Sequence, residues 1–492
     1  MASRPILSWI PAVFQTKWLS AFRTSGRART DPLLQMAALV QERGRLSGWF
    51  QSSPTAMRYL TLLAPLDWAA IPERPLWHPA YPQVISWSTL AAVCLVKLEE
   101  GLSTMPRLRR FLVEHPPLIW LLGFPLQPAR TIWGFDPDAS LPTPRHLARL
   151  LRHMPNSHLQ RLLDSTVSLI QQELAEVNVI LGDTISLDTK HILAWVKENN
   201  PKAYVSDRFD KSKQPKGDPD CKLGCKRRHN RPDEADALPP TPAREGIPAR
   251  HKTIGEFYWG YASGVVATKA GDWGEFVLAE LTQTFDKPDI SYFFPLMADV
   301  ERRLGRKPRF GAFDAAFDAF YVYEYFHNAG GFAAVPWSDR PSHRKQFSEE
   351  GLPLCAAGLP MPKQGSFMKR SHCLMPHRRI RYACPLKYPE GTGQTCPIQH
   401  KNWAKQGCIT TLPDSPGVRV RHELDRGSEA YKEVFRQRTA TERINSQALE
   451  LGIERPKLRN ARAIANMNTL IYVLINLRAY HRIRQRRTEL GL

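Results

Sequence analysis

The stretch Val179-Ile-Leu-Gly-Asp-Thr-Ile-Ser-Leu-Asp188 decides the expected fold, because a short apolar run in it leads to an acidic residue. Its β-branched residues and its bounding Gly and Asp are typical of a strand, so we predict a strand over 178–187 that Asp188 ends. A carboxylate at the end of a core strand is costly when buried, unless a cation neutralises it. The stretch therefore predicts both a core strand and a candidate cation ligand.

Further strands and helices are expected on the C-terminal side of this stretch. The pattern predicts strands over 257–267, 275–285, 308–314 and 331–337, and helices over 292–304 and 317–328. Three strands followed by alternating helix and strand are typical of a mixed α/β layer. The polar, Pro-containing residues 197–252 are expected to form a long loop.

Residues 1 to about 175 are expected to be helical, because apolar residues recur at a spacing of three to four in Leu90–Leu98 and in His146–Leu162. Thr143 followed by Pro144 is a favourable helix start. We predict an inserted, partly β subdomain over residues 338–425, with Val418–His422 as one of its short β segments.

The last part of the chain is expected to be helical again. Helical spacing returns over 427–451 and 457–487, and the second of these segments ends in a basic tail. That tail is consistent with either a solvated basic end or a phosphate-binding face.

The charge of the chain favours a polyanionic partner. Its 492 residues include 68 Lys and Arg against 47 Asp and Glu, a net charge of +21, so nucleic acid is the first partner to consider; a basic but unrelated soluble protein is the alternative. Eight Cys without a Cys-x-x-Cys pair fit a reducing compartment. No apolar stretch approaches the ~20 residues that a bilayer needs, and we therefore expect a cytoplasmic protein.

Two further acids extend the pattern that Asp188 begins. Asp314 ends the strand predicted over 308–314, and Glu442 lies in the helix predicted over 427–451. Two Asp from strand ends and a Glu from a helix suit Mg²⁺, and two such ions roughly 4 Å apart can cleave a phosphodiester. The alternatives at this point are a turn or helix cap for each Asp, and for Glu442 a surface pair with Arg438.

The order and surroundings of these acids resemble the DDE transposases of bacterial insertion sequences, whose catalytic core is RNase H-like. Ile185-Ser-Leu-Asp188-Thr-Lys is similar to the segment around the family's first Asp, and Asp314-Ala-Ala-Phe-Asp318 to the segment around its second. Trp259-Gly-Tyr261 and Asp218-Pro-Asp-Cys-Lys-Leu-Gly224 also resemble family motifs.

The last family motif is Tyr, two residues, Arg, three residues, Glu, six residues, Lys. Here Arg438 and Glu442 match it, whereas Phe435 replaces the Tyr and Leu449 stands where the Lys is expected. Tyr431, one turn before Phe435, is a candidate for the missing hydroxyl.

The order of short motifs near the amino terminus resembles a helical domain that precedes the catalytic core in such transposases and is thought to bind transposon ends. These motifs are Pro79-Ala-Tyr-Pro82, Glu100-Gly-Leu-Ser103, Leu108–Leu122, Gly123-Phe124 and Leu141-Pro-Thr-Pro-Arg145. We assign this DNA-binding domain to residues 76–175; residues 1–75 show no resemblance.

The two resemblances imply an α/β fold: an RNase H-like mixed sheet flanked by helices, an all-α N-terminal domain and a β-containing insertion before the last catalytic helix. The core would comprise residues 176–337, the insertion 338–425, and the last core helices with the basic tail 426–492. The implied activity is hydrolysis at the terminal inverted repeats of an insertion sequence, followed by strand transfer into target DNA. The partners would be double-stranded DNA and further copies of the chain, as a homodimer or larger complex in the bacterial cytoplasm at the nucleoid.

The resemblance also implies roles for single residues. Asp188, Asp314 and Glu442 would hold two Mg²⁺, for which Mn²⁺ could substitute. Arg438 would neutralise phosphate charge beside them, where a guanidinium fork suits two oxygens. For the DNA backbone, Arg443 and Lys252 are weaker candidates, and a solvated surface charge is the favoured alternative for each. Trp403 or Trp337 could stack on a flipped base, with burial in a core as the alternative.

Two sets of Cys and His could instead mark zinc: Cys384, Cys396, His400 and Cys408, or Cys221, Cys225 and His229. The first set has one close pair of ligands and the second stops at three, so we do not expect zinc. Two other functions remain open, an RNase H-like nuclease without strand transfer and a catalytically dead DNA-binding regulator. The three acids count against the regulator, and the N-terminal motifs count against a simple nuclease.

Overall fold

The computed structural model describes residues 31–73, 85–227, 255–338 and 345–491. The motif Pro79–Pro82 and the candidate residues His229 and Lys252 lie outside these ranges. None of the helices in the described ranges combines the length and apolarity that crossing a membrane requires.

The described part of the chain before residue 180 is helical, as predicted. Its helices are α1 (Pro32–Gln41), α2 (Gly48–Gln51), α3 (Pro54–Leu63), α4 (Trp87–Glu99), α5 (Met105–Val113), α6 (Pro116–Leu121), α7 (Pro137–Ser140), α8 (Pro144–His153) and α9 (Asn156–Ala175). The predicted helix start at Thr143 is confirmed, because its hydroxyl accepts the N–H of His146 at 3.2 Å. Met36 of α1 lies in the same buried cluster as Leu95 of α4. Helices on both sides of the boundary predicted at residue 75 therefore share one core.

The described residues contain a central sheet of six strands that run in mixed directions. The strands are β1 (Thr184–Leu193), β2 (Lys222–Arg227), β3 (Gly255–Lys269), β4 (Glu275–Thr284), β5 (Phe310–Ala312) and β6 (Phe332–Ala334). Their order is β2-β3-β1-β5-β6, with β4 also paired to β3. The β1–β3, β2–β3 and β3–β4 pairs are antiparallel, whereas β1–β5 and β5–β6 are parallel. The predicted mixed α/β class is therefore confirmed.

The predicted bounds of β1 are wrong at both ends. The strand does not start at Asn178, because Asn178 and Gly182 have left-handed backbone angles (φ 56° and 76°) that interrupt an extended chain. It also continues past Asp188 to Leu193, because β3 pairs with it along that length. Strand β2 likewise falls within 197–252, which we predicted to be a loop.

The remaining helices cover both faces of this sheet. They are α10 (Phe293–Leu304), α11 (Phe320–Asn328), α12 (Pro416–Glu423), α13 (Glu429–Arg436), α14 (Thr439–Glu450) and α15 (Ala461–Leu490). Phe293 of α10 packs in one cluster with Val266, and Ile444 of α14 packs in another with Val265. Because Val265 and Val266 are consecutive in β3, they point to opposite faces, and the sheet lies between two helical layers.

Residues between 363 and 413 form a second, three-stranded antiparallel sheet. Its strands are β7 (Lys363–Lys369), β8 (His377–Ala383) and β9 (Ile409–Pro413), in the order β7-β8-β9. The predicted β character of Val418–His422 is wrong, because these residues lie in α12. The Ser415 hydroxyl caps that helix by accepting the N–H of Gly417 at 3.1 Å.

The segment predicted as helical over 427–451 contains two helices, α13 and α14, which meet at Gln437 and Arg438. Tyr431 of α13 packs with Ala312 of β5 and Ala334 of β6, whereas Ile444 of α14 packs over β3. The break therefore lets each helix cover a different part of the sheet.

Glu280 of β4 is a buried acid between the sheet and two helices. Only 2% of the residue is exposed, and its Oε1 accepts hydrogen bonds from Gln160 of α9 at 2.8 Å and from Thr469 of α15. Its Oε2 has no hydrogen-bond partner within the described residues. Burial raises the pKa of Glu280 to about 7, although the two hydrogen bonds and Arg303 oppose the change.

Glu280→Gln is expected to stabilise the protein at alkaline pH. The folded-state pKa lies above the unfolded one, so the chain loses stability as the pH rises from about 4 to about 7. The neutral amide avoids this loss, and we expect a gain of about 3 kcal/mol in the free energy of unfolding near pH 8, with little change near pH 4. Urea unfolding at both pH values measures it, with the exposed Glu390→Gln as control. Equal effects of Glu280→Gln at both pH values would contradict a titrating Glu280.

Candidate functional site

Asp188 and Asp314 come from neighbouring parallel strands. In the β1–β5 pair, Ser186 lies opposite Ala312, and each Asp follows one of these two residues by two positions. The backbone at Asp314 stays extended (φ −82°, ψ 176°) although β5 itself ends at Ala312. Because side chains alternate between the faces of a sheet, both carboxylates lie on the face that carries Ser186 and Ala312.

The Asp188 carboxylate is mostly enclosed and accepts two hydrogen bonds. The backbone N–H of Thr189 donates to Oδ1 at 2.8 Å, and Nδ2 of Asn445 on α14 donates to Oδ2 at 3.1 Å. Burial raises the pKa of Asp188 to about 6, and the negative charges of Asp314 and Asp289 act in the same direction. The Thr189 N–H and the charge of Arg438 oppose this rise.

Asp314 lies in the candidate site and also caps a turn, which was the alternative role predicted for it from the sequence. Its Oδ1 accepts the N–H of Ala316 at 2.9 Å and so caps the short 3₁₀ turn Ala315–Phe317. Burial raises the pKa of Asp314, while this hydrogen bond and the positive charge of Arg438 lower it. The capping contact fixes the carboxylate beside the end of β5.

Asp289 is a further acid of this site, and the sequence predictions did not include it. It begins the 3₁₀ turn Asp289–Tyr292 that leads into α10, and its Oδ1 accepts the Thr189 hydroxyl at 2.8 Å. Burial and the charge of Asp314 raise the pKa of Asp289. Its sequence signal was an acid just before a predicted helix, which is also the pattern of an ordinary helix cap.

Glu442 approaches the site from α14 but is held by an ion pair. Arg438 Nη2 lies 2.5 Å from Glu442 Oε1, and the Glu442 side chain is 49% exposed. The charge of Arg438 acts on both Asp188 and Asp314. Glu442 precedes Asn445, which contacts Asp188, by one helical turn, so the two side chains share a helix face. Glu442 thus forms the ion pair with Arg438 that was the alternative to metal binding, and this pair lies beside Asp188 and Asp314.

No group of three or more His, Cys, Asp or Glu within the described ranges is arranged to hold a metal ion. Asp188 and Asp314 are brought together, whereas Glu442 is engaged by Arg438. Binding of Mg²⁺ by the three acids therefore stays a prediction.

Two candidate DNA contacts have partners within the protein. Arg443 forms an ion pair with Glu275 at the start of β4. Tyr431 is only 7% exposed and stacks on Phe435, with ring centroids 5.9 Å apart. Burial raises the pKa of Tyr431, and its packing against β5 and β6 gives little support to a hydroxyl that contacts phosphate.

The two candidate tryptophans are partly exposed and covered by cations. The Lys387 ammonium lies 4.5 Å from the ring centroid of Trp403. The guanidinium groups of Arg421 and Arg426 lie 4.6 Å and 3.8 Å from that of Trp337. Both rings thus carry cation–π contacts within the chain, and neither belongs to a buried core.

Two cysteines of the first Cys and His set, which we considered and did not expect to bind zinc, lie together with a third cysteine from outside that set. Cys384 and Cys408 lie opposite each other, one residue beyond the last pair of β8 and β9. Burial raises the pKa of Cys408 to about 12, as do the neighbouring thiols of Cys384 and Cys355. The third thiol of this cluster is thus Cys355. Cys396 instead contacts His400, with 3.5 Å between the Cys396 Sγ and the backbone nitrogen of His400.

Two family-like motifs meet in space. The Tyr261 hydroxyl of Trp259-Gly-Tyr261 donates to Oδ1 of the fully buried Asp218 at 2.8 Å. Gly260 has no room for a side chain, because a Cβ there would lie 2.0 Å from the carbonyl oxygen of Ile192 in β1. These residues therefore fix β3 against β1 and the loop before β2.

Comparison with protein-family models gives no match for this chain, and neither do comparisons with curated proteins and with solved structures.

Proposed function

We propose that this chain is a metal-dependent DNA transposase with an RNase H-like catalytic core. The observation that carries the proposal is the position of Asp188 within β1 and of Asp314 just after β5, at equivalent places in the register of these two parallel strands. These are two of the three acids that the sequence resemblance selects, and their meeting depends on the fold. The antiparallel β1–β3–β4 strands, the two parallel strands and the helix that carries Glu442 are consistent with that core.

The donor atoms around Asp188 fit a hard divalent cation. They are carboxylate oxygens whose ionised forms are disfavoured by burial and by each other, a cost that a cation would remove. Asn445 Oδ1 is also buried and has no hydrogen-bond partner within the described residues. This concentration of carboxylates stands out in a chain of net charge +21.

Asp188 and Asp314 would hold Mg²⁺, and Glu442 would join them after leaving Arg438. Mg²⁺ held by these residues would supply the activation of a water or hydroxyl and the stabilisation of the leaving oxygen of a phosphodiester. Arg438 would exchange the Glu442 carboxylate for phosphate oxygens of the DNA, which its guanidinium fork can bind in the same way. The N-terminal helices would bind the terminal inverted repeats, and a homodimer or larger complex would pair the two ends.

The Arg438–Glu442 ion pair also favours a second candidate, a DNA-binding regulator without catalysis. The pair satisfies Glu442 without a metal ion. A nuclease that only hydrolyses DNA would use the same acids as a transposase.

Metal removal separates these functions. Purified protein is incubated with a plasmid that carries the DNA flanking the gene, in Mg²⁺, in Mn²⁺ or in EDTA. A transposase is expected to cleave at the repeat ends in either metal and to join the freed ends to a second plasmid, and EDTA should stop both reactions. Cleavage without joining would favour the nuclease, and binding without cleavage would favour the regulator.

Asp289→Asn is expected to weaken the response to Mg²⁺ without abolishing cleavage. The amide oxygen can still accept the Thr189 hydroxyl, but one negative charge beside Asp188 and Asp314 is lost. We expect half-maximal cleavage at roughly tenfold higher Mg²⁺, about 1.4 kcal/mol of lost attraction, and recovery at saturating Mg²⁺. An unchanged Mg²⁺ titration would exclude Asp289 from the site.

A further inference from the structure

A long stretch of the chain carries cations but no acids. Residues 351–389 contain no Asp or Glu. Their Lys and Arg are Lys363, Lys369, Arg370, Arg378, Arg379, Arg381 and Lys387. Most of these residues lie on strands β7 and β8 or on the loop that joins them, a unit that we call the basic ribbon (residues 363–383).

The basic ribbon projects an exposed edge. Strand β7 is the outer strand of its sheet, and residues 363–368 are all exposed. Phe367 and Met368 are 46% and 52% exposed, and Leu374 and Met375 of the joining loop are 43% and 37% exposed. At about 3.3 Å per residue, the seven-residue strand is roughly 23 Å long.

Most cations at this edge have no carboxylate partner within the part of the chain that the structure describes. Among the described residues, Lys363, Lys369 and Arg370 form no ion pair, and Arg378 reaches Asp414 only at 3.6 Å. The charge of the basic ribbon is therefore available to an external anion.

We propose that the basic ribbon binds double-stranded DNA by entering a groove. The pairing of β8 with β9 covers Arg379–Ala383, so the end of the ribbon that carries Met368 and Lys369 is two-stranded. A two-stranded ribbon fits the major groove, which is about 12 Å wide. Lys363, Lys369 and Arg370 would contact phosphates on the groove walls. Phe367 and Met368 would contact sugars and base edges, as the apolar side chains of other DNA-binding proteins do.

The alternation of side chains favours DNA over an anionic membrane. Phe367 and Met368 are consecutive in β7 and pair with Arg379 and Arg378, so they point to opposite faces of the ribbon. Binding at a membrane surface needs one continuous apolar face. A groove instead has two walls, which the two faces of a ribbon can contact together.

This inference rests on the proposed function only for the choice of DNA as the partner. Groove binding requires no metal ion and none of the acids Asp188, Asp314 and Glu442. Its test is therefore carried out in EDTA, where no cleavage can occur.

The experiment measures the fluorescence anisotropy of a labelled random-sequence duplex with the full chain at several salt concentrations. The triple variant Lys363→Gln, Lys369→Gln, Arg370→Gln is compared with Lys211→Gln, Lys213→Gln, Lys216→Gln, which removes equal charge from exposed residues of another loop. The ribbon triple is expected to bind at least tenfold more weakly at moderate salt, with a salt-dependence slope smaller by about three. The control should change affinity less than twofold.

A second variant tests the apolar contacts. Phe367→Ala with Met368→Ala is expected to weaken binding several-fold and to leave the salt slope unchanged, because no phosphate contact is removed. All substituted ribbon side chains are partly or largely exposed, so thermal unfolding should match the unmodified protein.

Three results would overturn the inference. The first is an unchanged affinity of the ribbon triple, whatever the outcome of the cleavage assays. The second is an equal loss in both triples, which would show a dependence on net charge alone. The third is binding to phosphatidylglycerol vesicles that the ribbon triple abolishes while its DNA binding stays intact.

Discussion

Asp188→Asn and Asp314→Asn are each expected to abolish Mg²⁺-dependent DNA cleavage and strand joining. Each substitution keeps the shape of the side chain but removes a charged oxygen from the cation site. Metal ions contribute several kcal/mol to such reactions, so we expect losses of at least roughly 10³-fold in rate. DNA binding should stay nearly intact, because phosphate contacts rather than metal ligands dominate affinity.

Stability measurements separate a lost ligand from a lost fold. The pKa of Asp188 is raised to about 6, above its unfolded value, so the ionised carboxylate costs stability at pH 7 when no metal is bound. Metal-free Asp188→Asn should therefore melt at the same or a higher temperature than the unmodified protein. Mg²⁺ should raise the melting temperature of the unmodified protein and not that of the variant.

The matched control is Asp272→Asn, whose side chain is 92% exposed. It should change neither cleavage nor the response to Mg²⁺. Cleavage that persists in Asp188→Asn or Asp314→Asn would remove that residue from the site. If Glu442→Gln alone retains cleavage, the two aspartates act without it and the ion pair with Arg438 is its role.

Sequence patterns predicted the order of elements better than their contacts. The helices before residue 180 and the strand β3 follow from local periodicity, which a single segment displays. The meeting of Asp188 with Asp314 depends on the parallel register of β1 and β5, which neither segment encodes alone. Asp289 reaches the site because the turn after β4 lies against Thr189 of β1, a contact across 100 residues that its neighbours in the sequence do not predict.

The error at α12 has a similar origin. Val418-Arg-Val-Arg-His422 alternates apolar and polar residues, which is typical of a strand. The helical form prevails because Ser415 and Pro416 start a helix and because Arg421 then reaches a buried carboxylate, Asp318. That carboxylate lies far away in the chain, and a local pattern contains no information about it.

Asp318→Ala is expected to cause the largest loss of stability of any substitution considered for this chain. The Asp318 side chain is 1% exposed and that of Arg421 is 9% exposed. Arg421 Nε donates to Oδ1 at 2.6 Å and Nη2 to Oδ2 at 2.5 Å, while the Tyr323 hydroxyl donates to Oδ1 at 2.9 Å. Burial alone would raise the pKa of Asp318, but these donors and the Ser338 N–H lower it to about 2.

The alanine variant leaves a buried guanidinium without this carboxylate. Removal of one partner of a buried ion pair costs about 3 to 5 kcal/mol. We therefore expect a loss of that size in the free energy of unfolding, measured by urea titration at pH 7. The control is Asp414→Ala, which breaks the exposed 3.6 Å pair with Arg378 and should cost less than about 1 kcal/mol.

Two further measurements identify the cause of the loss. Because the folded pKa of Asp318 lies below its unfolded value, its stabilisation is present above about pH 4 and disappears as the pH falls toward 2. The difference between the unmodified protein and Asp318→Ala should shrink over the same range. Asp318→Leu combined with Arg421→Met should recover much of the loss, since apolar replacement of both partners of a buried pair is often neutral.

The same pair connects the segment that follows Asp314 to the helix that precedes α13 and α14. Asp318 follows Asp314 by four residues, and Arg421 lies on α12, just before α13 and α14. The ion pair thus ties the chain that leaves the second sheet to the segment that carries Asp314. If Asp318→Ala proves as stable as the unmodified protein, this tie contributes nothing, and Arg438 and Glu442 must be positioned by the packing of α13 and α14 alone.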